Sequence, residues 1–230
     1  MRIKAVSFDI GHTLVRYNNP LNWKALYEPA LRQVLERCGI AGDAGLKAAE
    51  AILLRYNTRE NPRETEVDSS TIFREILGVW GQPEEKLDAA KSAFYGFFQA
   101  GAVCFEDTED ALRTLRAAGM KLGALTDVAY GMDSAYALRD IAGIRHYFDL
   151  TLTSVDVGYR KPHGAGYERL LRAFCVYPAE MLYVGDEEKD IAGANALGIV
   201  SALICRNGEP ADWGQQFTVR SLAELPALVQ

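Results

Sequence analysis

Five short apolar segments, separated by stretches with helical periodicity, are the strongest constraint on how this chain can fold. The segments cover residues 3–9, 121–126, 148–154, 181–186 and 200–205. Their length and the polar residues or glycines at their ends are typical of buried β-strands. Helical patterns follow several of them, at residues 109–118 with Thr108 as a predicted N-cap, at 133–141 and at 167–174. Strands that alternate with helices indicate βαβ units. We therefore predict an α/β fold with a doubly wound, parallel, Rossmann-like sheet.

The long interval between the first two predicted strands has a different character. Residues 21–101 carry four amphipathic stripes, and a polar loop is predicted at residues 57–70, with Pro62 inside it. Pro29 is expected to interrupt or restart the first of these helices. Such a set forms a small bundle of its own. The sequence therefore predicts a four-helix cap at residues 17–101 inserted into a core made of residues 1–16 and 102–230. Trp23, Tyr27 and Tyr56 are expected in its interior.

Composition excludes several classes of function. Hydrophobic residues make up 49% of the chain and charged residues 24%, which is typical of a globular protein. The net charge of −6 and the absence of a basic stripe argue against nucleic-acid binding. No apolar run approaches the roughly 18 residues of a membrane span. The four cysteines are scattered without a CxxC pair, so we expect a reduced, cytoplasmic compartment. Either a monomer or a homodimer is compatible with the sequence.

The first predicted strand ends in an acidic residue, Asp9, and Gly11 follows two positions later. This pattern indicates a strand that presents one carboxylate at the rim of the sheet before a tight turn. Ligands bind at the carboxyl ends of strands in open parallel sheets. Asp9 is therefore a candidate for chemistry, with a turn-capping carboxylate as the alternative interpretation.

Three later strands also end near polar side chains. Thr126 closes the second predicted strand, Lys161 precedes Pro162 at a predicted helix start, and Asp186 closes another strand with Asp190 four residues on. Singly, each is explained as a cap or a solvated charge. Together with Asp9, they would form a site for a phosphoryl group and a hard cation such as Mg²⁺, which binds one or two carboxylates.

The ordered motifs of the chain resemble those of a known family. They read FD-x-x-x-TL, then LT, then VGYRKP, then VGD-x-x-x-D-x-x-GA-x-x-LGI. This set is similar to that of the haloacid dehalogenase superfamily, in the phosphoglycolate phosphatase-like subfamily with a helical cap between the first two motifs. The resemblance implies a hydrolase of a small phosphorylated metabolite.

The same resemblance implies roles for individual residues. Asp9 would attack phosphorus and become a transient aspartyl phosphate, which splits one difficult displacement into two. Thr126 would hydrogen-bond a transferring oxygen, and Lys161 would neutralise charge on the nucleophile and the phosphoryl group.

A magnesium site is implied as well. Asp186 would hold Mg²⁺ together with the Asp9 carboxylate and the backbone carbonyl of Gly11. Asp190 would support that arrangement from behind the metal ligands.

The first motif departs from the family pattern. Phosphatases of this kind usually read D-x-D-G-T, whereas this chain reads Asp9-Ile10-Gly11-His12-Thr13. The second Asp protonates the leaving alcohol and later activates water, and such a general acid/base contributes about 10²–10⁴-fold to the rate. His12 is the nearest candidate to carry the proton instead. Alternatively, His12 is a turn residue that points away from the site.

Several functions therefore stay open at this stage. We expect a slow magnesium-dependent phosphatase. A dehalogenase needs no acid, but those of this superfamily carry an aromatic residue in place of Gly11 and lack the second acidic pair, so Asp186 and Asp190 weigh against that reading. A phosphonate-cleaving enzyme would need a lysine of the cap, where Lys24 and Lys47 lie, although no matching motif surrounds them. A catalytically silent binding module is the remaining alternative.

Overall fold

The main sheet has six parallel strands. The protein is described from a computed structural model that covers residues 2–20, 22–43, 45–99 and 101–229. Predictions that include Met1, Leu21, Ala44, Ala100 or Gln230 reach outside these described residues at those positions. The sheet strands are β1 (Ala5–Phe8), β4 (Lys121–Thr126), β5 (Leu150–Thr153), β6 (Met181–Gly185), β7 (Val200–Ile204) and β8 (Phe217–Val219). Their order across the sheet is β5-β4-β1-β6-β7-β8.

Helices cover both faces of this sheet. Successive strand residues point to opposite faces, so Val6 and Ala5 belong to different buried clusters. One face packs against α5 (Thr108–Ala117) and the C-terminal α10 (Leu225–Leu228). The other packs against α8 (Ala165–Phe174) and α9 (Glu188–Ala196). The predicted α/β, doubly wound, Rossmann-like fold is therefore confirmed.

The remaining strands are too short to be recognised in the sequence. A separate antiparallel ribbon pairs β2 (Val15–Tyr17) with β3 (Ala102–Cys104). Each of its strands has only three residues, as does the edge strand β8, whose Phe217 is exposed. Neither β8 nor the ribbon contains a run long enough to show the two-residue alternation of a strand.

Four helices between β2 and β3 match the predicted amphipathic stripes. They are α1 (Tyr27–Arg37), α2 (Leu46–Tyr56), α3 (Ser69–Val79) and α4 (Leu87–Phe98). A 3-10 turn, Trp23–Leu26, leads directly into α1. Pro29 therefore lies in the first turn of α1, where its missing N–H would have no partner within the helix. The polar loop lies between α2 and α3, as predicted.

The buried cluster of these four helices extends into the segment that follows β4. Val128, Tyr130 and Met132 belong to it, and the Tyr95 hydroxyl donates to the Tyr130 carbonyl at 3.0 Å. The segment then forms α6 (Ser134–Ala137) and a 3-10 turn, Leu138–Ile141, where a single short helix was predicted. Helix α7 (Ser154–Val157) follows β5 directly. The division into a core and a cap stays a prediction.

Across residues 2–20, 22–43, 45–99 and 101–229, no helix combines the length and the apolarity that crossing a membrane requires.

Candidate active site

Two adjacent strands deliver carboxylates to the same edge of the sheet. Asp9 follows β1 and Asp186 follows β6, and the Asp9 N–H donates to the Val184 carbonyl at 2.9 Å. Asp190 reaches the same point from the first turn of α9. One carboxylate oxygen from each of these three residues lies within 4.8 Å of the others. The sequence prediction that Asp9, Asp186 and Asp190 lie together agrees with this geometry.

Gly185 permits the close approach of Asp190 to the end of β6. A Cβ atom at Gly185 would lie 2.4 Å from the Cβ atom of Asp190, a distance that no pair of side chains tolerates. The Asp190 carboxylate also accepts a hydrogen bond from the Glu187 N–H at 3.0 Å, which closes the N-terminus of α9. Asp190 is therefore held in place from two directions.

Lys161 links two of the three carboxylates. Its Nζ atom lies 2.6 Å from Asp9 Oδ1 and 2.6 Å from Asp190 Oδ1, and its side chain is only 2% exposed. Burial alone would lower the pKa of Lys161, but attraction from Asp190 and Asp9 outweighs burial and raises it. Lys161 is therefore a permanent positive charge in contact with Asp9.

The loop that carries Lys161 is fixed by neighbouring charged groups. The Lys161 N–H donates to Asp127 Oδ1 at 3.0 Å, and Arg160 donates to the Val128 carbonyl at 2.7 Å. Arg160 also forms a buried ion pair with Glu66, which belongs to the loop between α2 and α3. Burial raises the pKa of Asp127, but Lys161, Arg160 and Lys189 lower it more strongly, so Asp127 stays ionised. Sequence reasoning missed Asp127, Arg160 and Glu66. Two of them could have been noticed in the sequence, because Asp127 follows Thr126 directly and Arg160 directly precedes Lys161. No sequence signal marks Glu66.

Thr126 lies at the end of β4, the strand next to β1. It is half-buried and lines the cleft that Asp9 faces. Gly11 lies on the wall of the same cleft. The roles of Thr126 toward a substrate and of the Gly11 carbonyl toward a metal stay predictions.

The acidic cluster has more negative charge than its protein partners neutralise. Burial and repulsion from Asp9 and Asp190 raise the pKa of Asp186 to about 8. Burial raises the pKa of Asp190 to about 6; the charge of Lys161 acts to lower this pKa, and repulsion from Asp9 acts to raise it. Asp186 and Asp190 therefore keep their protons at a higher pH than free aspartates do, because the negative charge around them is not fully neutralised. A metal cation bound there would neutralise it. Since oxygen ligands suit a hard divalent cation, this donor set fits Mg²⁺.

A cleft of about 190 Å³ lies between the acidic cluster and helices α1–α4. Trp23 and Phe98 form part of its aromatic wall, with stacked rings 3.7 Å apart. Arg59 also lines the cleft and pairs with Glu187 at 2.5 Å. The remaining polar lining includes Asn19, Asn57, Gln99 and Lys189.

Two of the aromatic residues expected in the interior of the cap have a second role. Trp23 and Tyr56 pack on the buried cluster of the four helices with one side and line the cleft with the other. The expectation that Trp23 and Tyr56 lie only in the interior of the cap is therefore corrected. Helical periodicity could not show this, because it does not distinguish a side chain that faces the helix bundle from one that faces the cleft. Tyr27 is buried, as expected. Lys24 and Lys47 are exposed, pair with glutamates and are not among the cleft-lining residues of the described chain.

A family model described as "haloacid dehalogenase-like hydrolase" matches residues 3–198. The chain belongs to this family.

This haloacid dehalogenase-like hydrolase is similar to proteins named as phosphatases. It is 30% identical to a glyceraldehyde 3-phosphate phosphatase of Methanopyrus kandleri, over 89% of this chain and 84% of that one. It is 30% identical to a phosphoserine phosphatase of Thermus thermophilus, over 61% of this chain and 56% of that one. Among solved structures, a 2-haloacid dehalogenase from Pseudomonas syringae is similar with a TM-score of 0.70 and 25% identity, covering 98% of this chain and 97% of that one.

In this haloacid dehalogenase-like hydrolase, the ring of Tyr17 occupies the space beside Gly11. A Cβ atom at Gly11 would lie 3.3 Å from Tyr17 Cε2 and 3.9 Å from the Tyr17 hydroxyl. The Tyr17 hydroxyl donates to Asp140 Oδ2 at 3.0 Å. Burial raises the pKa of Asp140 to about 6, although the Tyr17 hydrogen bond opposes it. Burial and then Asp140 raise the pKa of Tyr17, so its phenol stays protonated. Sequence reasoning missed both residues, and no motif marks them.

His12 lies beside the same position with a backbone φ of 55°, in the left-handed region. Its ring packs edge-on against Tyr17 at 5.6 Å, and it lines the cleft. Its buried Nε2 atom has no hydrogen-bond partner within the described chain. Burial lowers the pKa of His12, so its imidazole is mainly neutral near pH 7. A role for His12 in proton transfer stays a prediction.

Proposed function

We propose that this protein is a magnesium-dependent phosphatase that acts on a small phosphorylated metabolite through a covalent phosphoryl group on Asp9. The observation that carries the proposal is the contact between Asp9 and Lys161 within a cluster of three carboxylates, two of which, Asp9 and Asp186, line a cleft. Two relatives with phosphatase names support the same reaction.

Asp9 would supply the nucleophile. A carboxylate oxygen of Asp9 forms a bond to phosphorus while the bond from phosphorus to the alcohol oxygen breaks, so the electron pair leaves with the alcohol. Lys161 would hold Asp9 in line and offset the negative charge of both reactants, and the Thr126 hydroxyl would donate to a phosphoryl oxygen. Water then attacks the phosphorus of the aspartyl phosphate, which regenerates Asp9 and releases phosphate.

Asp9, Asp186 and the Gly11 carbonyl would hold the metal ion. When bound there, Mg²⁺ supplies positive charge that stabilises the phosphoryl oxygens. Asp190 contacts both Lys161 Nζ and the Glu187 N–H, so it would keep the lysine and the start of α9 in register with the metal ligands.

The size of the cleft favours a small substrate. Its volume of about 190 Å³ is below the range of about 300–1,000 Å³ that drug-sized ligands fill, and a second, more open depression shares Asp127, Asp186 and Lys189 with it. The two relatives are named for glyceraldehyde 3-phosphate and phosphoserine, both small phosphate monoesters. We propose the same class for this chain, and residues 17–101 would act as the cap that closes over it.

The proposal is tested by phosphate release from p-nitrophenyl phosphate with and without Mg²⁺. Asp9→Asn is expected to abolish release, and a chelator is expected to abolish it in the wild type. Asp110→Asn is the matched control, because Asp110 is an exposed aspartate that pairs with Arg113 away from the cleft. Full activity in Asp9→Asn would refute the nucleophile. A wild type that is inactive with a panel of small phosphate esters would point to a silent binding module.

A 2-haloacid dehalogenase is the second candidate, favoured by the similar Pseudomonas syringae structure and by Gly11 in place of a general acid. Here the Asp9 carboxylate would displace halide from carbon, and no proton is needed by the leaving group. Chloride release from 2-chloropropionate in the presence of a chelator would establish this reaction. Phosphate release that requires Mg²⁺, without chloride release, would exclude it.

A further inference from the structure

The phosphatase reaction proposed above needs a proton donor for the leaving alcohol, and position 11 offers none. Gly11 has no side chain, yet the space beside it is filled. The Tyr17 hydroxyl lies 3.9 Å from the position of a Cβ atom at Gly11, which is within the reach of a carboxyl group attached there. A hydroxyl from another strand therefore stands near where an acid at position 11 would act.

Tyr17 is held in this position by contacts outside the first motif. It closes β2, whose partner β3 comes from beyond the four helices. Its hydroxyl donates to Asp140 Oδ2 at 3.0 Å, and Asp140 belongs to the 3-10 turn after α6. Tyr17 and Asp140 line the same cleft as Asp9. The pair therefore places a phenol at the cleft with a carboxyl group behind it.

We propose that Tyr17 and Asp140 form a proton relay that replaces the missing acid of the first motif, an inference that rests on the proposed phosphatase function. The step starts from the form in which Asp140 Oδ2 carries a proton and donates it in a hydrogen bond to Tyr17 Oη across the 3.0 Å contact, so that the phenol proton is free to point into the cleft. As the bond from phosphorus to the alcohol oxygen breaks, Tyr17 Oη gives its proton to that oxygen and receives the proton of Asp140 Oδ2, which leaves Asp140 ionised and accepting a hydrogen bond from Tyr17. In the second step the water loses a proton to Tyr17 Oη while Tyr17 Oη returns a proton to Asp140. The pair therefore ends each turnover in its starting state.

The surroundings suit these two roles. Burial raises the pKa of Asp140 to about 6, so a fraction of this carboxyl group retains a proton near neutral pH. Tyr17 Oη and Asp140 Oδ2 lie 3.0 Å apart, so a proton can pass between them without either group moving. His12 lies beside the pair with its ring edge-on to Tyr17 at 5.6 Å, and its buried Nε2 atom has no hydrogen-bond partner within the described chain.

The relay is tested by the dependence of kcat/KM on the leaving group. Phosphate release is measured with p-nitrophenyl phosphate, phenyl phosphate and glycerol phosphate, in order of rising leaving-group pKa. A good leaving group departs without an acid, whereas an alkoxide requires one. Tyr17→Phe keeps the ring that fills the space at Gly11 and removes only the hydroxyl. We expect this variant to lower kcat/KM for glycerol phosphate about 100-fold or more. The fold-loss in kcat/KM for p-nitrophenyl phosphate should be smaller than this by a factor of about ten or more.

Asp140→Asn is the second variant, because an amide can still accept the Tyr17 hydrogen bond but cannot supply the proton. It is expected to steepen the leaving-group dependence in the same direction. Tyr147→Phe is the matched control, since the Tyr147 hydroxyl also donates to a carboxylate, that of Glu109, but outside the cleft. In Tyr147→Phe, the ratio of kcat/KM for glycerol phosphate to kcat/KM for p-nitrophenyl phosphate is expected to equal that of the wild type.

The outcomes separate the two proposals. If Asp9→Asn is inactive and Tyr17→Phe keeps the wild-type ratio between the alkyl and aryl substrates, the relay is wrong and the phosphatase stands. The relay is also wrong if His12→Gln changes the ratio while Tyr17→Phe does not. If Asp9→Asn retains full activity, the phosphatase proposal itself fails.

Discussion

Replacing Asp186 by Asn should stabilise the metal-free protein while it abolishes activity. Asp186 is half-buried, and two further carboxylates have an oxygen within 4.8 Å of one of its own. Repulsion among these groups is tolerated because a cation would offset it. Asn has nearly the same shape, is neutral, and keeps an oxygen that can accept the Thr13 hydroxyl, now 3.3 Å from Asp186 Oδ1. The variant therefore removes the repulsion and leaves the packing intact.

The size of the effect follows from the pKa of Asp186, which is about 8 in the folded protein and 3.8 for an unperturbed aspartate. Between these values the folded state holds a proton that the unfolded state has lost, so the free energy of unfolding falls as pH rises from about 4 to about 8. At pH 7 roughly three pKa units of this penalty are present, about 4 kcal/mol at 1.36 kcal/mol per unit.

Part of that penalty is shared with Asp9 and Asp190, because a proton taken up by one carboxylate relieves the others. We therefore expect Asp186→Asn to gain about 2 kcal/mol at pH 7. For a chain of this size that corresponds to a rise in Tm of about 4–8 °C. At pH 5 the wild-type carboxyl is largely protonated in the folded state, so the gain should shrink to within about 1 kcal/mol.

Thermal unfolding followed by circular dichroism, with a chelator at pH 5 and pH 7, measures this difference. Mg²⁺ should then raise the Tm of the wild type and have little effect on Asp186→Asn, because the variant has lost a ligand. Asp110→Asn controls for the loss of one negative charge at an exposed site. A Tm of Asp186→Asn below that of the wild type at pH 7, without metal, would refute the account of the acidic cluster.

Two further substitutions test other contacts. Glu66→Ala should lower the free energy of unfolding in urea by up to about 3–5 kcal/mol, because it removes the nearer of the two carboxylates that pair with buried Arg160 and leaves only Asp127, 3.8 Å away. A loss below about 1 kcal/mol would show that the ion pair with Glu66 does not hold the Lys161 loop. Gly11→Asp alone should not raise kcat/KM for glycerol phosphate, because its Cβ atom would press on Tyr17 Cε2 at 3.3 Å. The double variant Gly11→Asp with Tyr17→Ala should have a higher kcat/KM for glycerol phosphate than Tyr17→Ala alone, because the space beside position 11 is then open. A large gain in kcat/KM from Gly11→Asp by itself would contradict this prediction.

Much of the fold was predictable from local patterns. The five strand segments are apolar and short, and the helices between them have three- and four-residue spacing, so each element is recognisable within its own residues. The candidate site was predictable for a related reason. Parallel strands bring their carboxyl ends to one edge, so Asp9, Thr126 and Asp186 had to be neighbours once the strands were recognised.

The sequence by itself therefore determined the parallel sheet, the helical insertion and the carboxylates at the sheet edge. Only the tertiary structure decided what fills the space beside Gly11, because Tyr17 and Asp140 are 123 positions apart and carry no motif. The ion pair of Arg160 with Glu66 and the cleft-facing sides of Trp23 and Tyr56 depend in the same way on how α1–α4 pack against the sheet. Helical periodicity shows which side chains share the apolar face of a helix. It does not show which segment packs against that face, because this depends on contacts between residues far apart in the sequence.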